Sequence, residues 1–218
     1  MLMQVRSGFM AGGRSVPIPA TYFGSGSSVE SSTVSLPGSI ASGDLGVLFD
    51  QVINGSSTMP TSVYPSGWTA IGTSQTASLS TVRVRFNMAY KVLDGTETTL
   101  TGMSDTYSNK LVLVFRKLAS LTWGSPASVG AEANLSGPAD KTVTVGTAPL
   151  IVLGAVMNTS ALGMTPTQTA TISGASGAYT QAQAGYIIYG AGAANNTITS
   201  SAGSGVYTAI GGFYFPLT

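Results

Sequence analysis

The chain contains no cysteine and no histidine, and from Thr142 to Thr218 it has no Asp, Glu, Lys or Arg either. Metal ligation, nucleophile activation and acid–base catalysis draw mainly on these residue types. The eight acids and nine bases all lie before residue 142, so the inventory points away from an enzyme and from a cofactor or metal centre. Without cysteine, stability must come from packing and hydrogen bonds. Long apolar runs are also missing. The longest strongly apolar stretch, Leu150 to Met157, falls well short of the roughly 20 residues of a membrane-spanning helix. Met1-Leu2-Met3-Gln4-Val5-Arg6 lacks the apolar run of about 7–15 residues of a secretory signal. No segment long enough for a helix carries a helical apolar stripe.

What remains is a foldable, nearly neutral chain. Hydrophobic residues make up 43% of it and charged residues 8%, unlike a disordered sequence. The net charge of +1 gives no electrostatic footprint for nucleic acid or an anionic membrane, and little repulsion between copies.

The dominant period is two. Val82, Val84, Phe86, Met88, Tyr90 and Val92 alternate with Arg83, Arg85, Asn87, Ala89 and Lys91, the pattern of a half-buried strand. Asp94-Gly95 supplies a tight turn, after which Thr96 to Leu100 is predicted to return antiparallel as a hairpin. Val112 to Phe115 reads as a strand buried on both faces, with Arg116 and Lys117 at its exit. Thr142 to Val145, Leu150 to Leu153, Gln183 to Tyr189 and Val206 to Phe215 read as further strands. Clusters such as Gly24 to Ser28, Asn54-Gly55-Ser56, Met59-Pro60-Thr61, Ser173 to Gly177 and Asn195-Asn196 read as loops at sheet ends. The expected fold is all-β, an antiparallel β-sandwich of jelly-roll type.

A repeat is visible in outline. Gly46 to Asn54 aligns with Leu150 to Asn158, Ala89 to Val92 with Gly185 to Ile188, and Leu111 to Phe115 with Thr208 to Gly212. Two similar strand sets then contribute to a single domain spanning residues 1–218, with an irregular segment over about 1–20. The alternative is two small β halves, 20–120 and 140–218.

The motifs Tyr22-Phe23-Gly24-Ser25, Leu36-Pro37, Gly43-Asp44-Leu45-Gly46-Val47-Leu48-Phe49, Pro65-Ser66-Gly67-Trp68-Thr69, Tyr90-Lys91-Val92 and Leu111 to Arg116 occur in an order that resembles β-sandwich structural proteins of tailed bacteriophages. Those proteins are commonly carried on tails, fibres or capsid surfaces. The resemblance covers residues 22 to 117, with a weaker echo afterwards. It implies a virion component assembled in the host cytoplasm and displayed as a homo-oligomer among other virion proteins. It transfers no catalytic residue.

Candidate contact residues are few. Trp68, Trp123 and Tyr64 could stack on a host-surface sugar ring, as in a receptor-binding module of a fibre or spike; for Trp68 the competing reading is a plug closing one end of the sandwich. Asp44 with Asp50, Asp94 with Glu97, or a pair involving Asp105 are the carboxylates a glycosidase would need about 5–9.5 Å apart. Asp94 and Glu97 flank a turn, where solvated carboxylates are ordinary. Arg83, Arg85 and Lys91 share a strand face opposite Phe86 and Tyr90, which separates phosphate contact from base stacking and argues against nucleic acid. Sequons at Asn54, Asn134, Asn158 and Asn195 carry no inference in so Ser/Thr-rich a chain. A neutral surface can be desolvated against a neighbour without stranding a charge, so the main assembly face is expected within Thr142 to Thr218.

Overall fold

A computed structural model describes residues 18–54, 58, 61, 63–79, 82–104, 108–134, 137–145, 149–157, 162–165, 172–173, 182–190, 196–205 and 208–218. The described residues contain strands and no helix, and every strand pairing is antiparallel. The first eight strands are β1 (Ala20–Val29), β2 (Val34–Ser35), β3 (Leu45–Asn54), β4 (Thr69–Ala70), β5 (Gln75–Leu79), β6 (Val82–Val92), β7 (Thr99–Leu100) and β8 (Ser108–Lys117). The second eight are β9 (Ala127–Asn134), β10 (Gly137–Val145), β11 (Leu150–Met157), β12 (Leu162–Thr165), β13 (Ile172–Ser173), β14 (Ala182–Tyr189), β15 (Asn196–Gly205) and β16 (Thr208–Pro216).

Pairing is nested. In the first set β1 pairs with β8, β2 with β7 and β3 with β6; in the second β9 pairs with β16, β10 with β15 and β11 with β14. The main sheets run β1-β8-β3-β6 and β9-β16-β11-β14, with short strands added on β6 and on β14. This is a ribbon folded back on itself, the pairing scheme of a jelly roll, and it occurs twice.

Register makes the repeat specific. Val47 lies between Leu113 and Tyr90, and Ile151 lies between Phe215 and Ile188. With Val47 set against Ile151, as the sequence alignment places them, the pairing fixes the counterparts in the flanking strands. The later segments differ from that alignment: Tyr90 matches Ile188 instead of Tyr186, and Leu113 matches Phe215 instead of Ile210. The first difference, two residues, preserves the buried face, whereas the second, five residues, exchanges the faces, so similarity between apolar runs did not fix the register.

The two main sheets share a core. Leu45, Val47 and Phe49 from β3, Phe86 and Met88 from β6, and Leu111, Leu113 and Phe115 from β8 cluster with Ile151, Ala184, Phe213 and Phe215 of the second sheet. Rings cross the gap between sheets: Phe49 to Phe213 at 5.5 Å, Tyr90 to Phe215 at 5.2 Å and Phe115 to Tyr186 at 5.2 Å between centroids. The opposite face of the first sheet is covered too. Leu48, Ala89, Val112 and Val114 pack there with Val34, Leu36, Trp68, Leu93, Leu100 and Met103. The middle of β6 is therefore buried on both faces, where alternation alone predicted one.

Two local expectations are corrected. Gly24 to Ser28, read as a loop, lies within β1, because β2 and its flanks cross close above it. A Cβ on Gly26 would sit 1.9 Å from the Ser35 carbonyl oxygen, and one on Gly24 would meet the Pro37 ring at 2.9 Å. The glycines serve close approach, not a bend. The Asp94-Gly95 turn exists, with φ of 92° at Gly95, but Thr99–Leu100 pairs with β2 and not with β6. The Leu93 amide instead donates to the Asp44 carbonyl, ending β6 against the start of β3, and the return strand carries Leu100 into the second cluster.

Candidate functional site

The most unusual chemistry lies inside the first sheet. Asp50 on β3 has two register partners, Lys110 on β8 and Asn87 on β6, so the three side chains form a row across three strands. All three are at most 2% exposed. They share the face of Leu48, Ala89 and Val112, since residues two apart along a strand point the same way. Asn87 Nδ2 donates to Asp50 Oδ2 at 3.3 Å, and Ser74 Oγ donates to Asn87 Oδ1 at 2.6 Å. Lys110 Nζ donates to the Ser104 carbonyl at 2.6 Å and to Ser108 Oγ, and stands 3.6 Å from Asp50 Oδ1. Burial pushes the Asp50 carboxyl above its ordinary range, against the opposing pull of the Lys110 charge and the Asn87 hydrogen bond. A buried ion pair seldom repays its desolvation, so stability alone does not account for a lysine here.

A second polar group closes the other end of β3. Arg116 donates through Nε to Asp44 Oδ1 at 2.8 Å and through an Nη to Asp44 Oδ2 at 2.6 Å, a bidentate pair. The same guanidinium reaches the Ser39 carbonyl and lies 4.2 Å from the Phe23 ring centroid. Burial would raise the Asp44 carboxyl, but the Arg116 hydrogen bonds, the Ala41 amide and the guanidinium charge together hold it below the usual carboxylate value. This cluster ties the loop before β3 to the end of β8.

The sequence-derived contact residues fall in separate places. Trp68 is buried in the second cluster, and Tyr64 packs against the same cluster; a Cβ on Gly46 would come within 2.9 Å of the Trp68 ring. Trp123 packs half-buried against the shared core, and its indole N–H is committed to the Gly43 carbonyl at 2.8 Å. The rings do not form one platform. Of the carboxylates, Glu97 accepts from the Asp94 and Gly95 amides and pairs with Lys91, while Asp94 accepts from Thr96, so both are used by the turn. Asp44 and Asp50 lie six residues apart on one extended segment, about 20 Å by strand rise, too far for a glycosidase pair. Asp105, Asn158 and Asn195 lie outside the described residues, as do the side chains of Asn54 and Asn134. Arg83 and Arg85 are half-buried on β6 beside β5. Among the described residues no group of three or more Asp or Glu could hold a metal ion, and no helix is long and apolar enough to cross a membrane. Within Thr142 to Thr218, Ile151, Ala184, Phe213, Phe215 and Leu217 point into the shared core, so part of the charge-free stretch serves the interior.

Sequence reasoning missed the Lys110 row. Ser108-Asn109-Lys110 precedes the apolar run that reads as a strand, and it is the fully buried start of β8. A usable signal was the placement of Asp50 in the middle of the apolar run Leu45 to Ile53, which demands a buried partner. Comparison with protein-family models, with curated proteins and with solved structures finds no match for this chain.

Proposed function

We propose that the chain is a non-enzymatic structural subunit of a bacteriophage virion, which decorates or reinforces the capsid or tail through contacts with copies of itself and with other virion proteins. The observation that carries the assembly reading is the outer edge of β1. This strand ends its sheet, and among the described residues no strand pairs with its outer side. Glu30 N–H donates to the Ser108 carbonyl. Alternation of hydrogen-bonded and non-bonded pairs then turns the backbone groups of Ser25, Ser27 and Val29 away from β8. From Ala20 to Val29 the strand holds no charge and no proline, two of the devices that protect an edge, and its register shift at Tyr22/Gly24 lies before the stretch from Ser25 to Val29. An antiparallel pairing of two such edges is self-complementary, as a two-fold contact requires. The near-zero net charge and the charge-free stretch from Thr142 to Thr218 support association in general.

Sedimentation velocity tests it. The wild-type protein should self-associate with rising concentration, and Ser27→Pro, which removes an outward N–H without touching the β1–β8 ladder, should shift it to monomer. A wild-type protein that stays monomeric at high concentration, or association unchanged by Ser27→Pro, refutes the edge as the contact. Stoichiometric recovery on purified particles tests the virion assignment itself.

A further inference from the structure

We propose that Lys110 and Asn87 join, without any other reagent, in a side-chain amide bond, with Asp50 carrying the proton between them. The inference rests on the buried row and stands independently of the virion reading.

The reaction is a transamidation. The unprotonated Lys110 Nζ attacks Cγ of Asn87, a C–N bond forms, the Cγ–Nδ2 bond breaks, and ammonia leaves. No oxidant, metal or activating group is consumed. Asp50 touches both ends of the exchange. Its Oδ1 stands 3.6 Å from Nζ, where the proton is released, and its Oδ2 already accepts from Nδ2 at 3.3 Å, where a proton must be delivered. The carboxyl group returns to its starting state. Ser74 Oγ donates at 2.6 Å to Asn87 Oδ1, the atom on which negative charge develops during attack, as an oxyanion donor should.

Reach and protonation are both compatible. Adjacent strands lie about 4.8 Å apart, so Lys110 and Asn87 are roughly 10 Å apart at the backbone across β3. An extended lysine reaches an asparagine Cγ over that span once Nζ turns from the Ser104 carbonyl toward Asn87. Burial pushes the Asp50 carboxyl toward its proton-bearing form, which can hand a proton to the departing Nδ2 and take one up from Nζ. Held together on a packed sheet, the groups react as one molecule, with the rate advantage of fixed neighbours. The product would lock β8 to β6 across β3.

Mass spectrometry of the purified full-length chain tests the proposal. The intact mass should fall below the sequence mass by about 17 Da, the loss of one ammonia in forming an amide. Trypsin does not cut at a modified lysine, so the digest should contain residues 86–91 joined to residues 92–116. This map needs no variant and is unaffected by folding defects. Lys110→Met should restore the full sequence mass, and Asp50→Ala should do so while keeping both reacting groups. A wild-type protein at full sequence mass overturns the proposal. A loss of about 18 Da with Lys110 joined to Asp50 overturns the choice of acceptor, and an Asp50→Ala protein that still loses ammonia overturns the role of Asp50.

Discussion

Phe213 is fully buried where the two main sheets meet, with its ring 5.5 Å from Phe49 and 5.7 Å from Phe215. Phe213→Ala removes a whole ring from a site walled by both sheets, and such truncations cost about 3–5 kcal/mol. Against a total stability of about 5–15 kcal/mol, that is a large fraction of what holds the fold. Phe49→Ala should cost a similar amount, and the double variant should lose less than the sum by about 0.5–1.5 kcal/mol, the worth of one aromatic pair. Equilibrium urea unfolding followed by tryptophan fluorescence reads all four proteins. The two tryptophans sit in different cores, Trp68 in the cluster over the first sheet and Trp123 against the shared one, so single-tryptophan versions give two local probes. Both should report one transition, and Phe213→Ala should shift them together. If the Trp68 transition stays in place while that of Trp123 moves, and the coupling energy is near zero, the sheets do not share a cooperative core.

The Asp44–Arg116 pair makes stability depend on acid. The folded carboxyl titrates below its ordinary value, so the pair's contribution is complete above the unfolded value and is lost as pH falls through the folded one. The guanidinium side chain is 39% exposed, and solvent screening limits the contribution to about 1–2 kcal/mol. Urea titrations should show Asp44→Asn less stable than wild type at pH 7, with the difference shrinking below about pH 4; a difference independent of pH refutes the assignment. Gly26→Ala should destabilise by about 2–4 kcal/mol, because its methyl group meets the Ser35 carbonyl and the crossing segment must move. A thermal midpoint within a degree of wild type would show that β2 does not lie where described.

The sequence was most informative where one periodicity governed one environment. Alternation through β6, the apolar start of β11 and the apolar heart of β8 all mark strands. Strands built from small residues were not. β1 consists largely of glycine, serine and threonine because a second segment lies against it, and that crowding is a tertiary fact that leaves a loop-like composition behind. The destination of Thr99–Leu100 was hidden for a related reason: a turn fixes where the chain reverses, but the partner of the returning strand depends on which apolar surface still needs cover. The Lys110 row was obscured because polar residues at a strand end signal exposure on average, and here three strands place them together behind Ser74, Ser104 and Ser108. The charge-free stretch from Thr142 to Thr218 was conspicuous from the outset, yet composition could not divide it between inner faces and outer surface.

Nested pairing also sets the order in which this chain can organise itself. Ala20 meets Lys117 only after everything between them has found its place, whereas β3 and β6 enclose a much shorter stretch. Closing short loops before long ones is entropically cheaper, so each set should zip from its innermost pair outward, and topologies dominated by such distant partners fold on the slow scale of milliseconds to seconds. β1 would then be the last strand of its set to dock, leaving its glycine- and serine-rich length unpaired during synthesis.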